Sequence, residues 1–392
     1  MRVVYSIGSK LAGGGIGTTA YHAARGIQAA GHLKRLICLG REPSDIPDPL
    51  ITTLWFPSRR FLRLAPLHYY WVKDRSFDRR AARLLRGGFD VFHGWNSQCL
   101  RCLQRARDQG AVTFVERASA HSAVQARLLE EEHERFGLPP PAGLDRLVAR
   151  CVREYEEADF VRVPSQFVRR SFLDQGFPPE RLVAGPFGVD LERFRPRPLP
   201  ERFTVLYVGD VGLRKGALDL LEAWERLGWA ATADDGPRLV LRGWVDDAVA
   251  PLVEERRRRA AFETPGYTAN VEDAYAGASV LVLPSIEDGY PLVVLEAMAS
   301  GRPVIVSENT GSKDAVREGR DGFVVPIRSP DAIAAKLQWL RDHPRERAEM
   351  GRQAREQAER FPWARFGREL VAAYERALSG RAVRLGHPAP RD

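Results

Sequence analysis

Residues 281–303, LVLPSIEDGYPLVVLEAMASGRP, constrain this chain more than any other stretch. They begin with the tail of an apolar, β-branched run, ASVLVLPS, short enough to be a buried strand. A polar, Gly-containing turn follows from Ile286 to Tyr290. Pro291 suits the first position of a helix, where its missing N–H would be unpaired anyway. Leu292 to Ala299 are good helix formers, and Gly301 stops the helix. Pro303 then opens a second apolar run, PVIVS. Strand, loop, helix and strand in that order make the parallel crossover of an α/β sheet.

Two acids in the stretch stand out. Asp288 falls in the loop at the carboxyl end of a strand, where open α/β sheets bind ligands. Glu296 falls about two turns into the helix, between Leu295 and Ala297. A carboxylate in an otherwise apolar helix is costly to bury unless it accepts hydrogen bonds, and sugar hydroxyls are good donors for it. The competing account is a solvated Glu on an amphipathic helix, but this helix has almost no other polar face.

The pair Asp288 and Glu296, seven residues apart, is followed by the helix end Ala-Met-Ala-Ser-Gly-Arg-Pro-Val. This resembles the nucleotide-sugar signature of retaining glycosyltransferases of the GT-B fold, family 4. The family usually has Glu at the first acid; here Asp288 is preceded by Glu287, and either could meet the sugar. The resemblance implies that the donor touches Glu287, Asp288, Gly289, Tyr290, Pro291, Leu292 and Glu296. It also implies two Rossmann-like α/β domains facing across a cleft, with a last helix crossing back to the first.

The 392 residues, 44% hydrophobic, suffice for two such domains. The expected division is a first domain over 1–194, a Pro-rich linker over 195–201 and a donor domain over 202–361. A returning helix over 362–379 and a disordered tail over 380–392 complete it. Net charge is +8, mostly from scattered Arg. That suits phosphorylated substrates or anionic surfaces. No RNA-binding motif or zinc finger accompanies it, which disfavours nucleic acid.

The four cysteines include Cys99-Leu-Arg-Cys102, a redox-like spacing inside a helical pattern with no second pair for zinc. Half-buried thiols in a reducing cytosol account for it. The chain opens directly into a strand, MRVVYSIG, and holds no membrane-length apolar run, so a cytoplasmic protein is expected.

In the first half, GSKLAGGGIGTT separates a strand from a helix. Such a loop offers backbone N–H groups to a phosphate, although alone it does not differ from a tight turn. By the resemblance, Gly14 and Gly15 lie over the donor phosphates. Residues 55–86 interleave cations and aromatics, with nine Lys and Arg from Arg59 to Arg86, among them Arg59, Arg60, Arg63 and Arg83, and with Phe61, Tyr70 and Trp71. This composition fits the face of an anionic bilayer as well as a solvated helix. The resemblance, whose acceptors are glycans or lipid-linked, favours the bilayer. The strand VTFVE ends at Glu116, and His121 comes five residues later. The family places a His near the reacting centre here; His121 is the candidate and Glu116 the alternative. PFGVD, with Phe187 where the family has Asn, resembles the exit from the first domain.

In the second half, GDVGLRKG follows a strand. The resemblance assigns Lys215 to the donor diphosphate. Asp210 replaces the family's Arg, and Arg214 is the substitute charge. Lys and Arg in a Gly-bearing loop are the counter-charge a diphosphate needs. Gly311 and Ser312, in a Thr-Gly-Ser turn, are assigned to the donor phosphates too. The chain has no Asp-x-Asp motif for a divalent ion, so no metal or cofactor is expected and the nucleotide sugar is a co-substrate. The predicted reaction transfers a hexosyl group from a nucleotide sugar to a glycan or lipid-linked hydroxyl. Two alternatives are an epimerase acting on the donor alone and an inactive sugar-nucleotide-binding protein.

Overall fold

Apolar runs of three to six residues become strands, and every strand pairing is parallel. The computed structural model describes residues 1–58, 62, 66–229 and 236–384. Its first sheet holds β1 (Val3–Ile7), β2 (Leu33–Cys38), β3 (Ile51–Thr53), β4 (Val91–Trp95), β5 (Val112–Glu116), β6 (Phe160–Val163) and β7 (Leu182–Ala184), in the order β3-β2-β1-β4-β5-β6-β7. Its second holds β8 (Thr204–Val208), β9 (Arg238–Arg242), β10 (Val280–Leu283), β11 (Val304–Ser307) and β12 (Gly322–Val325), ordered β12-β11-β10-β8-β9. Parallel neighbours require crossovers, and helices supply them.

The first-sheet helices are α1 (Ile16–Ala29), α2 (Pro66–Leu84), α3 (Leu100–Asp108), α4 (Ser122–Arg135), α5 (Leu144–Glu157) and α6 (Gln166–Leu173). Those of the second are α7 (Ala217–Leu227), α8 (Ala250–Arg257), α9 (Val271–Ala276), α10 (Leu292–Ala299), α11 (Pro330–Asp342) and α12 (Pro344–Ala358). Residues 281–303 form β10, a turn, α10 and the entry to β11, with Pro291 as the N-cap rather than the first helical residue. Among the described residues, no helix is long and apolar enough to cross a membrane.

The last helix, α13 (Trp363–Arg384), returns to lie across α1. It runs through 380–384, where a disordered tail was expected, because Gly380 does not outweigh the helix formers around it. The remainder of that tail lies outside the described residues, as do Arg59, Arg60, Phe61 and Arg63. The two helices meet backbone to backbone: a Cβ on Gly26 would stand 2.6 Å from the Cα of Gly367. Gly26→Leu is therefore expected to cost about 1–3 kcal/mol of stability through overpacking. Urea unfolding checks this, with Gly380→Ala, which meets nothing within 4 Å, as the control that loses no stability.

The linker over 195–201 is fastened by a side chain the sequence did not flag. Arg302 is fully buried; its Nη2 donates to the carbonyls of Arg197 (2.9 Å), Pro198 (3.2 Å) and Ala276 (3.1 Å), and its Nε to that of Tyr275 (2.8 Å). Burial lowers its pKa to about 10, which leaves it charged. All four cysteines are free and wholly buried, not half-buried, and burial pushes the Cys99 and Cys102 thiols well up.

Candidate active site

The order of the second sheet reverses at β8, which lies between β10 and β9. Ligand crevices in such sheets open at the carboxyl ends beside the reversal. The loop after β8 brings Arg214 and Lys215 there, and the turn after β10 brings Glu287 and Asp288. Gly216 makes this approach possible. It has φ +67°, and a Cβ would stand 2.0 Å from the carbonyl oxygen of Pro284.

Lys215 Nζ pairs with Asp288 Oδ2, both largely shielded from solvent. Burial pulls the Lys215 ammonium below its ordinary range, against the pull of Asp288. Arg214 Nη1 donates to the Glu287 carbonyl at 3.0 Å and lies 3.5 Å from its Oε2. Burial would lower this guanidinium, but Asp288 and Glu287 outweigh it and raise it. On α10, Glu296 Oε2 accepts from the Tyr275 hydroxyl at 2.7 Å. Burial raises its carboxyl despite that bond.

The loops after β5 and β6 close against this cluster. Glu287 Oε1 accepts from the Ala120 N–H at 2.8 Å, and Oε2 from Gln125 Nε2 at 2.6 Å. Both oxygens of Glu287 thus meet groups beyond its own turn, the loop after β5, α4 and Arg214, so it joins the two halves. Ser165 Oγ donates to the Gly289 carbonyl at 2.8 Å, and the Gln166 N–H to Asp314 Oδ2 at 2.6 Å. A Cβ on Gly289 would stand 2.1 Å from the Ala118 carbonyl oxygen. Gly289 therefore lets the two halves touch.

The remaining candidates differ in what holds them. The Gly311 N–H donates to the Asp288 carbonyl at 2.7 Å, and Ser312 Oγ is buried without a partner. Gly311 closes the Asp288 turn, and its amide is already committed there. The Tyr290 ring meets Phe187 edge-on with its hydroxyl buried, and Pro291 is buried beside it. Phe187, where the family has Asn, packs on Tyr290 and Phe366. Leu292 is half-buried at the start of α10. Gly14 and Gly15 stand open ahead of α1, with nothing within 4 Å of an added Cβ. The helix cap is Gly15, at φ +50°.

His121 caps α4: its Nδ1 accepts from the Ala123 N–H at 3.3 Å, and its ring packs on Tyr155 and Phe172. Burial, helped by Arg117, lowers its pKa to about 4. A neutral ring accepting at Nδ1 carries its proton on Nε2. Glu116 lies inside the first domain. Its Oε1 pairs with Arg162 Nη1 at 2.7 Å, and its Oε2 is 3.3 Å from His93 Nε2. Gln125 and Tyr275 were missed in the sequence because a lone Gln or Tyr on a helix carries no spacing signal. Among the described residues, no group of three or more His, Cys, Asp or Glu side chains could hold a metal ion.

Residues 13–193 match the family described as Glycosyltransferase Family 4, and residues 202–343 that described as Glycosyl transferases group 1. The chain is 29% identical over 419 residues to the MMP alpha-(1->4)-mannosyltransferase of Mycolicibacterium hassiacum, covering 97% of this chain and 99% of that protein. It is 32% identical over 275 residues to the D-inositol 3-phosphate glycosyltransferase of Streptomyces bingchenggensis, covering 62% of this chain and 55% of that protein. Sucrose-phosphate synthase from Thermosynechococcus elongatus superposes with a TM-score of 0.73 at 20% identity, over 97% of this chain and 100% of that one. Anabaena HepE in complex with UDP superposes at 0.66 with 15% identity, over 96% and 100%. Both structural likenesses are of fold.

Proposed function

Because the chain belongs to glycosyltransferase family 4 and has the GT-B fold, we propose that it moves a hexosyl group from a nucleoside-diphosphate sugar to an acceptor hydroxyl with retention of configuration. The observation that carries this reading is the Lys215–Asp288 pair beside Arg214, at the carboxyl ends of β8 and β10. A departing diphosphate develops negative charge, and fixed cations in a shielded site stabilise it without reorganising. Lys215 would release Asp288 to the sugar hydroxyls and turn to the phosphates. Glu296 keeps an oxygen free beside its Tyr275 bond and would accept from ribose hydroxyls. The Gly14–Gly15 loop, open ahead of α1, would close over the phosphates from the first domain. Glu287 is engaged by Ala120, Gln125 and Arg214, and Asp288 and Glu296 are assigned to hydroxyls, so no carboxylate is given the role of nucleophile in this reading. Attack on the face of departure, with the leaving phosphate taking the acceptor proton, is the consistent path.

The mannosyltransferase and inositol-phosphate relatives support a hexose donor and a polyhydroxyl acceptor. An anionic lipid surface is a fitting source of that acceptor. Arg79 and Arg83 of α2 and Arg101 and Arg105 of α3 line a groove of ≈ 810 Å³ whose one acid is Asp108. Peripheral attachment at the inner membrane face follows from this reading.

A thermal-shift series with UDP-, GDP-, dTDP- and ADP-sugars tests the proposal. One base class is expected to raise the melting temperature of the wild type and to lose most of that effect in Glu296→Ala. Equal stabilisation of both proteins would remove Glu296 from the site, and no stabilisation by any donor would defeat the donor reading.

A further inference from the structure

Two large aromatic rings stand in the open at the carboxyl edge of the second sheet. Trp244 follows β9. Tyr267 follows a segment running beside β9, where Glu263 exchanges main-chain hydrogen bonds with Leu239 and Leu241. The rings are 67% and 66% exposed, their centroids are 6.5 Å apart and their planes differ by 6°. Rings this size are normally hidden in a core or an interface. Keeping two exposed and parallel therefore asks for a ligand.

Their surroundings say which ligand. The Trp244 carbonyl accepts from the Val211 N–H at 2.8 Å, and a Cβ on Gly243 would stand 1.9 Å from the Gly209 carbonyl oxygen. Trp244 is thereby fixed to the loop that carries Arg214 and Lys215. Tyr267 leads into α9, whose Tyr275 bonds Glu296. The ring pair thus belongs to the same strand-end edge as the diphosphate and ribose candidates.

We propose that Trp244 and Tyr267 form a clamp for the nucleobase of the donor, an inference that rests on the donor reading above. A planar base between two parallel rings needs about 7 Å between them, two contact distances of about 3.5 Å. Stacking uses the face that every base has, so the clamp supplies affinity common to all bases and leaves base choice to polar atoms around it. Both side chains are exposed, so their replacement leaves the core intact.

Calorimetric titration of UDP, GDP, ADP and inorganic pyrophosphate into the full chain and its variants tests the clamp. Trp244→Ala and Tyr267→Ala are each expected to weaken the nucleoside diphosphates that bind by about 5- to 150-fold. Pyrophosphate binding is expected to stay unchanged, and Trp244→Phe to stay within about threefold of the wild type, since the aromatic face is kept. Nucleotide affinities in both alanine variants equal to the wild type overturn the clamp while leaving the donor reading standing. So does an effect confined to the KM of an acceptor glycan, which would make the rings a sugar platform. A wild type that binds no nucleoside diphosphate defeats both.

Discussion

Lys215→Ala is expected to lower kcat by about 10²–10³-fold, the loss typical when one preorganised donor to a developing oxyanion is removed. The ammonium is held in place by Asp288 and has lost solvent to burial. Its charge is therefore poorly screened and stronger toward a departing phosphate. Removal also leaves the buried Asp288 carboxylate without its cation. Steady-state kinetics with the donor found by thermal shift checks this, with circular dichroism confirming the fold. Lys215→Arg keeps the charge but spreads it over a planar fork, and partial activity is expected. A raised KM with kcat intact would mean that Lys215 holds donor and transition state alike, and its assignment to the leaving group would fail.

Glu116→Ala is expected to cost about 3–5 kcal/mol of unfolding free energy, because it leaves a buried guanidinium uncompensated. Arg162 is almost fully buried; its other contact of this kind is Nη2 to the Gly185 carbonyl at 2.9 Å, and it lies over the Phe366 ring. His93 closes the network, with Nδ1 2.6 Å from the Tyr374 hydroxyl of α13. The cluster thus ties the returning helix to the first sheet. Burial alone would raise the Glu116 carboxyl, but Arg162 and His93 hold it below its ordinary range. Its stabilisation is present above the unfolded pKa of about 4.3 and is lost as pH falls through the lower folded value. Burial lowers His93 likewise, so below pH of about 6.5 the unfolded chain takes up a proton that the native one refuses. Both effects weaken the fold as pH falls. Urea titrations of wild type and variant at pH 7, pH 5 and pH 3 read them, the His93 effect between pH 7 and pH 5 and the Glu116 effect between pH 5 and pH 3, and a loss under about 1 kcal/mol at pH 7 would show that Arg162 finds another partner.

Much of the second half was legible because its signals are local. A β-branched run, a Pro at a helix start and a Gly at its end each fix the backbone within a few residues, so β10, α10 and β11 fell where the pattern placed them. The loop carrying Lys215 was legible for the same reason. The roles of neighbouring acids were not. Glu287 and Asp288 are adjacent in sequence, yet one faces Ala120 and Gln125 of the first domain and the other faces Lys215. His121 and Glu116 looked interchangeable as candidates at one strand end. β5 is buried along its whole length, which sets Glu116 against Arg162, and the following helix takes His121 as its cap.

By itself the sequence determined the strand, helix and strand of residues 281–303 and the strands ahead of the Gly-bearing loops, but not the short β3, β7 and β12, because propensity, capping and apolar period act over one to four turns of chain and a run of three or four residues gives them little to act on. It also determined the chemical inventory at the strand ends, since those loops are short. The tertiary structure alone decided which charges pair, which glycines touch across the two halves and which rings stay exposed. These depend on burial and on contacts between residues a hundred or more positions apart, such as Arg302 with the linker and Ser165 with Gly289. Desolvation and long-range pairing are properties of the folded volume, and no local window of sequence contains them.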